Sequence, residues 1–292
     1  MSVAAKGRRG GTLVELLTAL PIAALLAVAA AATLIGAWRV VRRVVVTQGS
    51  ARELRHAQAA LESEIRPLRA RDITTVGDTA VEFDALLGTG VVCAADAANR
   101  LDLASGDPAD PRGLSWASSV QTGDALSLWR TADDRLAAPL EHRTTARALS
   151  WGAACTTSPW MAAWADQRTL RLTVTDPSSS AVVVGSPVAL RRRTRFSLYR
   201  SGTAWFLGKR ARVGGVWDVV QPVAGPLLSP SQRGLTVQLL DAAGVVTLAV
   251  ADAAALRFEL RADRASDGRA PLRRDTAMFE VVLRAESAQR RR

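Results

Sequence analysis

Leu16 to Trp38 is a run of 23 residues without a charged side chain, built mostly of Ala, Leu, Ile and Val. At about 1.5 Å per residue, a helix of that length crosses a hydrocarbon layer of about 30 Å. A helix also satisfies its own backbone hydrogen bonds, as a single segment in lipid must. The run therefore reads as a membrane segment or an uncut signal, with the globular part of the chain beyond it. Lys6, Arg8 and Arg9 precede it and Arg39, Arg42 and Arg43 follow it. The charge at the two ends is nearly balanced, so charge alone does not set the orientation.

Glu15 stands one residue before the apolar run. A carboxylate entering a membrane costs roughly 2–3 kcal/mol on insertion scales and normally has a partner there, which makes Glu15 a functional candidate. Its surroundings, Arg8-Arg9-Gly10-Gly11-Thr12-Leu13-Val14-Glu15-Leu16-Leu17, resemble the signature of type IV prepilins. In that family a basic leader ends in Gly, a prepilin peptidase cuts on the cytoplasmic side, and the fifth mature residue is Glu. The resemblance implies a leader over residues 1–10, cleavage between Gly10 and Gly11, N-methylation of Gly11 and an assembly role for Glu15.

The spacing has a physical logic of its own. A new α-amine at Gly11 is a charge in the membrane, and the Glu15 carboxylate of a neighbouring subunit neutralises it as helices stack in a filament. Two positions depart from the family pattern. Gly11 replaces the usual Phe, which bears on cleavage efficiency. The Pro commonly found deeper in the helix is missing, while Pro21 sits nearer the start and moves any kink toward the cytoplasmic end. The competing reading is an ordinary export signal, since Ala27-Val28-Ala29 is a small-x-small pattern and Arg8-Arg9 has the form of a twin-arginine signal.

Beyond the run, Leu54, Leu61, Ile65 and Leu68 line one face of a continuing helix. Gly49-Ser50 is a weak point in it, and Pro67 disfavours helix past Arg66. From Ile73 the pattern changes to β-branched runs punctuated by Gly, Pro, Asp and Ser, which predicts antiparallel strands. The candidate strands are 73–76, 79–86, 90–94, 125–130, 145–151, 168–175, 188–200, 204–212, 216–220, 235–240, 255–261 and 277–284, with loops at 106–113 and 226–234. The expected fold class is α+β, a long N-terminal helix followed by an antiparallel β-rich head. Its expected divisions are leader 1–10, transmembrane helix 11–38, helical continuation 39–70 and head 71–292.

Cys93 and Cys155 are the only cysteines, 61 residues apart in the intervening chain. Two cysteines and two histidines, His56 and His142, do not supply a structural zinc site at any recognised spacing. An exported head would join the cysteines in a disulfide, worth roughly 4 kcal/mol in the chain-entropy model. No nucleophile elbow, phosphate-binding loop or His-Glu-x-x-His helix occurs, so no enzyme, cofactor or metal is expected. Asp107, Asp110, Asp133 and Asp134 read as solvated turns rather than calcium ligands. Trp160 and Trp164, four apart, read as core anchors.

The net charge is +11, and 36 of the 38 basic residues are Arg. They are mixed with acids except at Arg191-Arg192-Arg193-Thr194-Arg195 and the terminal Arg290 to Arg292. On a strand Arg191, Arg193 and Arg195 project together, a row that can meet DNA phosphates or protect a sheet edge; edge protection is the expectation.

The resemblance implies a minor pilin, or a subunit like the J-type minor pseudopilins, held in the inner membrane with its head outside the cytoplasm. Its partners would be prepilin peptidase and other pilin or pseudopilin subunits of a type IV pilus or type II secretion pseudopilus, with nucleic acid not expected. The alternatives are an exported soluble protein or enzyme and a DNA-binding uptake pilin.

Overall fold

The computed structural model describes residues 13–96, 99–104, 119–130, 140–154, 168–175, 184–262 and 275–284. The chain forms two compact units, Met1–Ala51 and Arg52–Arg292. The described part of the first unit is helix alone. Helix α1 runs over Leu13–Ile65 with Pro21 inside it, continues through Gly49-Ser50, and stops two residues before Pro67. The second unit begins at Arg52, and the last turns of α1 belong to its core.

Those turns bury Leu54, Ala57, Leu61 and Ile65, and Leu68 follows just past the helix end. The 3-4-4 spacing keeps the four helical side chains on one stripe, while His56 on the other face is exposed. They share a core with Phe83, Phe196, Leu207, Val237 and Phe258. Phe83 stacks on Phe196 with ring centroids 6.0 Å apart, and Phe258 on Phe279 at 5.4 Å. Leu61 is completely buried. Leu61→Ala is expected to destabilise the head by about 3 kcal/mol, whereas His56→Ala should move stability by less than about 0.5 kcal/mol. Urea unfolding of the detergent-solubilised full chain checks both.

The strands are β1 (Ile73–Gly77), β2 (Ala80–Ala95), β3 (Arg100–Leu103), β4 (Ala125–Arg130), β5 (Leu140–Ala154), β6 (Arg168–Val174), β7 (Pro187–Ser201), β8 (Ala204–Val213), β9 (Val216–Trp217), β10 (Gln221–Leu227), β11 (Leu235–Leu240), β12 (Val246–Thr247), β13 (Ala255–Ala262) and β14 (Asp275–Val282). Every pairing is antiparallel. An N-terminal apolar helix followed by a large antiparallel sheet is the α+β arrangement that the pattern predicted. The turn of the β7–β8 hairpin falls at Gly202-Thr203, between the paired Ser201 and Ala204, and Gly202 takes a φ of 59°.

Two long strands carry two jobs each. The first part of β2 pairs with β1 and with the second half of β7, over the core that holds α1. Its second part closes a circuit of pairings, β2 to β3, β6, β5, β4, β7 and back to β2. Inside that circuit lies a separate cluster that includes Leu87, Val92, Leu103, Leu126, Leu172 and Leu190. It is a small closed barrel filled by its own side chains.

The sequence suggests two strands at 79–86 and 90–94 with a break at the Gly88-Thr89-Gly90 segment. One continuous β2 forms instead, and the glycines mark a register shift between Leu86 and Gly88 where sheet and barrel diverge. The expected loop at 226–234 begins later, because β10 continues through Pro226 to Leu227.

Candidate functional site

Glu15 is the third residue of α1 as described, and Gly10 and Gly11 lie outside the described residues. After Glu15 the helix presents Leu17–Val41, 25 residues with a mean hydropathy of 2.2 and none of it buried within the molecule. Leu25 is 71% exposed and Trp38 73%. An apolar surface this long gains about 25 cal/mol per Å² on leaving water, so it is stable only against lipid or other helices. Among the described residues one helix is thus long and apolar enough to cross a membrane, close to the N-terminus where signal sequences also lie.

The arginine row of β7 has a different role from the one expected of it. β7 is not an edge: it pairs with β2, β4 and β8, so edge protection does not apply. Arg191, Arg192, Arg193 and Arg195 each meet an acid from another element. Arg195 lies 3.4 Å from Glu82 and Arg193 3.0 Å from Asp84. These are cross-strand pairs of the β2–β7 ladder. On the other face, Arg192 donates from Nε and Nη2 to the two carboxylate oxygens of Asp124 at 2.8 and 2.7 Å, and from Nη2 to the Ser119 carbonyl at 2.8 Å. Both members are almost fully buried, so the fork geometry offsets a desolvation cost that a looser pair would not.

Arg191 reaches Asp72, at 3.1 Å, and Asp72 also accepts from Arg143 at 2.6 Å. Asp72 is completely buried and sits in the 3₁₀ turn Ala70–Asp72 that follows α1, where it accepts from the backbone N–H of Arg69 at 3.0 Å. Glu141 joins the group through Arg69, Arg71 and Arg143. Burial pushes the Arg191 guanidinium below its ordinary pKa, with Asp72 pulling it back up and Arg143 adding to the depression. Burial also acts to lower Arg143, but the hydrogen bond and charge of Asp72, helped by Glu141, outweigh it and its pKa is raised. These pairs pin the segment after α1 to barrel strand β5 and to the shared strand β7. They are ties between layers, with their charges already answered.

The partners were not recognised in the sequence. The alternation Glu82-x-Asp84 matches Arg193-x-Arg195 in an antiparallel register, but the match is visible only once β2 and β7 are known to pair. Asp72 and Asp124 stand in turns and give no local sign of a buried arginine partner.

Cys93 is completely buried on β2 and is disulfide-bonded; Cys155 lies outside the described residues, as do Asp107, Asp110, Asp133, Asp134, Trp160 and Trp164. His142 lies on β5 opposite Leu128. Among the described residues no group of three His, Cys, Asp or Glu side chains is placed to hold a metal ion. No family model, curated protein or solved structure matches the chain.

Proposed function

We propose that the chain is a pilin-like minor subunit, made as a precursor, cut between Gly10 and Gly11, and assembled through its N-terminal helix into a type IV pilus or type II secretion pseudopilus. The observation that carries this reading is the placement of Gly10-Gly11-Thr12-Leu13-Val14-Glu15 immediately ahead of the exposed apolar stretch Leu17–Val41. A carboxylate there needs a counter-charge, and the amine freed by cleavage supplies one on a neighbouring subunit.

Two further observations support it. Helix α1 runs unbroken through Ala27-Val28-Ala29 to Ile65, so cleavage at an ordinary signal site would divide a continuous helix whose last turns complete the core of the head. The disulfide at Cys93 suits an oxidising compartment, with Cys155, the only other cysteine, as its proposed partner. The subunit is accordingly single-pass in the inner membrane, with its head outside the cytoplasm and placed at or near the filament tip. Its work is structural, and its partners are prepilin peptidase and sister subunits. The paired arginines of β7 favour this reading over DNA uptake, since phosphates would have to displace acids already in place.

Gly10→Leu tests the cut site. A larger side chain next to the scissile bond is expected to leave the precursor uncut in the membrane, so that immunoblots show only the longer form. Appearance of the mature form from Gly10→Leu would remove the case for that site.

A further inference from the structure

Where the apolar span ends, α1 continues without interruption, and the turns there carry a charge pattern of their own. At 100° per residue, Arg39, Arg42 and Arg43 occupy positions i, i+3 and i+4 and share one face of the helix. Val40, Val41, Val44 and Val45 fall on the opposite face and are 62, 61, 44 and 62% exposed. No Asp or Glu occurs between Glu15 and Glu53, so no carboxylate lies within a turn of the three arginines along the helix. A basic flank also precedes the span, so this second one adds nothing to an orientation signal and weakens the asymmetry that would set it.

We propose that Arg39, Arg42 and Arg43 form a binding face for the phosphate groups of anionic phospholipids in the leaflet where the span ends. This rests on the reading that Leu17–Val41 crosses a membrane. Charge, depth and shape point to the same ligand. The planar guanidinium fork matches a phosphate in two hydrogen bonds, and the face begins one residue after Trp38, a side chain type that collects at the headgroup level. An arginine side chain is long enough to keep its apolar stem along a helix while its charged head reaches the headgroup level. A juxtamembrane basic cluster of this kind attracts anionic lipid at short range, within a Debye length of the surface.

The full chain is reconstituted into phosphatidylcholine vesicles holding a trace of spin-labelled phosphatidylglycerol or spin-labelled phosphatidylcholine, and the motionally restricted lipid fraction is measured. The expected result is that phosphatidylglycerol is favoured at the protein surface by about threefold. The preference should fall to about one in R39Q/R42Q/R43Q and largely persist in R39K/R42K/R43K. Equal association of the two lipids, or a preference that survives the glutamine triple, overturns the proposal. So does loss of the preference on adding inorganic phosphate at constant ionic strength, which would assign the face to free phosphate. Extraction of the reconstituted chain by alkaline carbonate would defeat the membrane-span reading and this inference together. A chain that resists extraction yet shows no lipid preference defeats this inference alone.

Discussion

Glu15→Ala is expected to leave the chain inserted in the membrane and cut at Gly10, while its recovery in sheared filaments falls by at least about tenfold. The change keeps the helix, since Ala is the strongest helix former, and makes the apolar stretch easier to insert. What it removes is the counter-charge for the α-amine that cleavage creates on a neighbour. Removing one partner of a charge pair in a low-dielectric environment leaves the other uncompensated, a loss of about 3–5 kcal/mol in buried sites. A tenfold fall in recruitment needs only about 1.4 kcal/mol of that. Filament and membrane fractions from cells expressing the variant, compared by quantitative immunoblot, check the result. Recruitment at the level of the unaltered chain would mean that Glu15 has no such partner.

Asp124→Ala is expected to destabilise the head by about 3–5 kcal/mol. Arg192 is almost fully buried and directs Nε and Nη2 at the Asp124 carboxylate. Without that carboxylate the guanidinium keeps only the Ser119 carbonyl, and the Gln121 backbone N–H loses its acceptor as well. The double variant Asp124→Leu/Arg192→Met removes both charges and should recover at least half of the loss, because an apolar pair has no ions to desolvate. Urea unfolding monitored by circular dichroism reads both variants. A cost below about 1 kcal/mol for Asp124→Ala would show that the buried pair is not holding the start of β4 to β7.

Much of this fold was legible because local chemistry agrees with it. Pro67 ended α1 where expected, and the stripe Leu54, Leu61, Ile65 and Leu68 faces the core, joined by Ala57. Strands with strong alternation, such as Leu235–Leu240 and Ala255–Ala262, fell where the period of two placed them. What escaped was set by tertiary pairing. Strand β3 is four residues long, too short for a period to emerge. β10 contains Gly225-Pro226, residues that read as a turn. The closure of six strands into a barrel depends on β2 and β7 each bending from one layer to another, which Gly88 and Gly90 permit without announcing. The arginines of β7 were misjudged for the same reason: a row of like charges suggests an edge or a polyanion site unless the acids of a neighbouring strand are known to face it. Of the candidate site, only Glu15 and Cys93 fall among the described residues, and the motif itself was read from residue identity alone.

The central claim is that this chain is processed at Gly10 and not at an ordinary signal site. Intact mass of the protein purified from the membranes of cells that express the processing machinery tests it most directly. The account predicts a chain that begins at Gly11 and carries one added methyl group on its α-amine. A chain beginning near Ala30, or one that keeps Met1 while the peptidase is active, would contradict it.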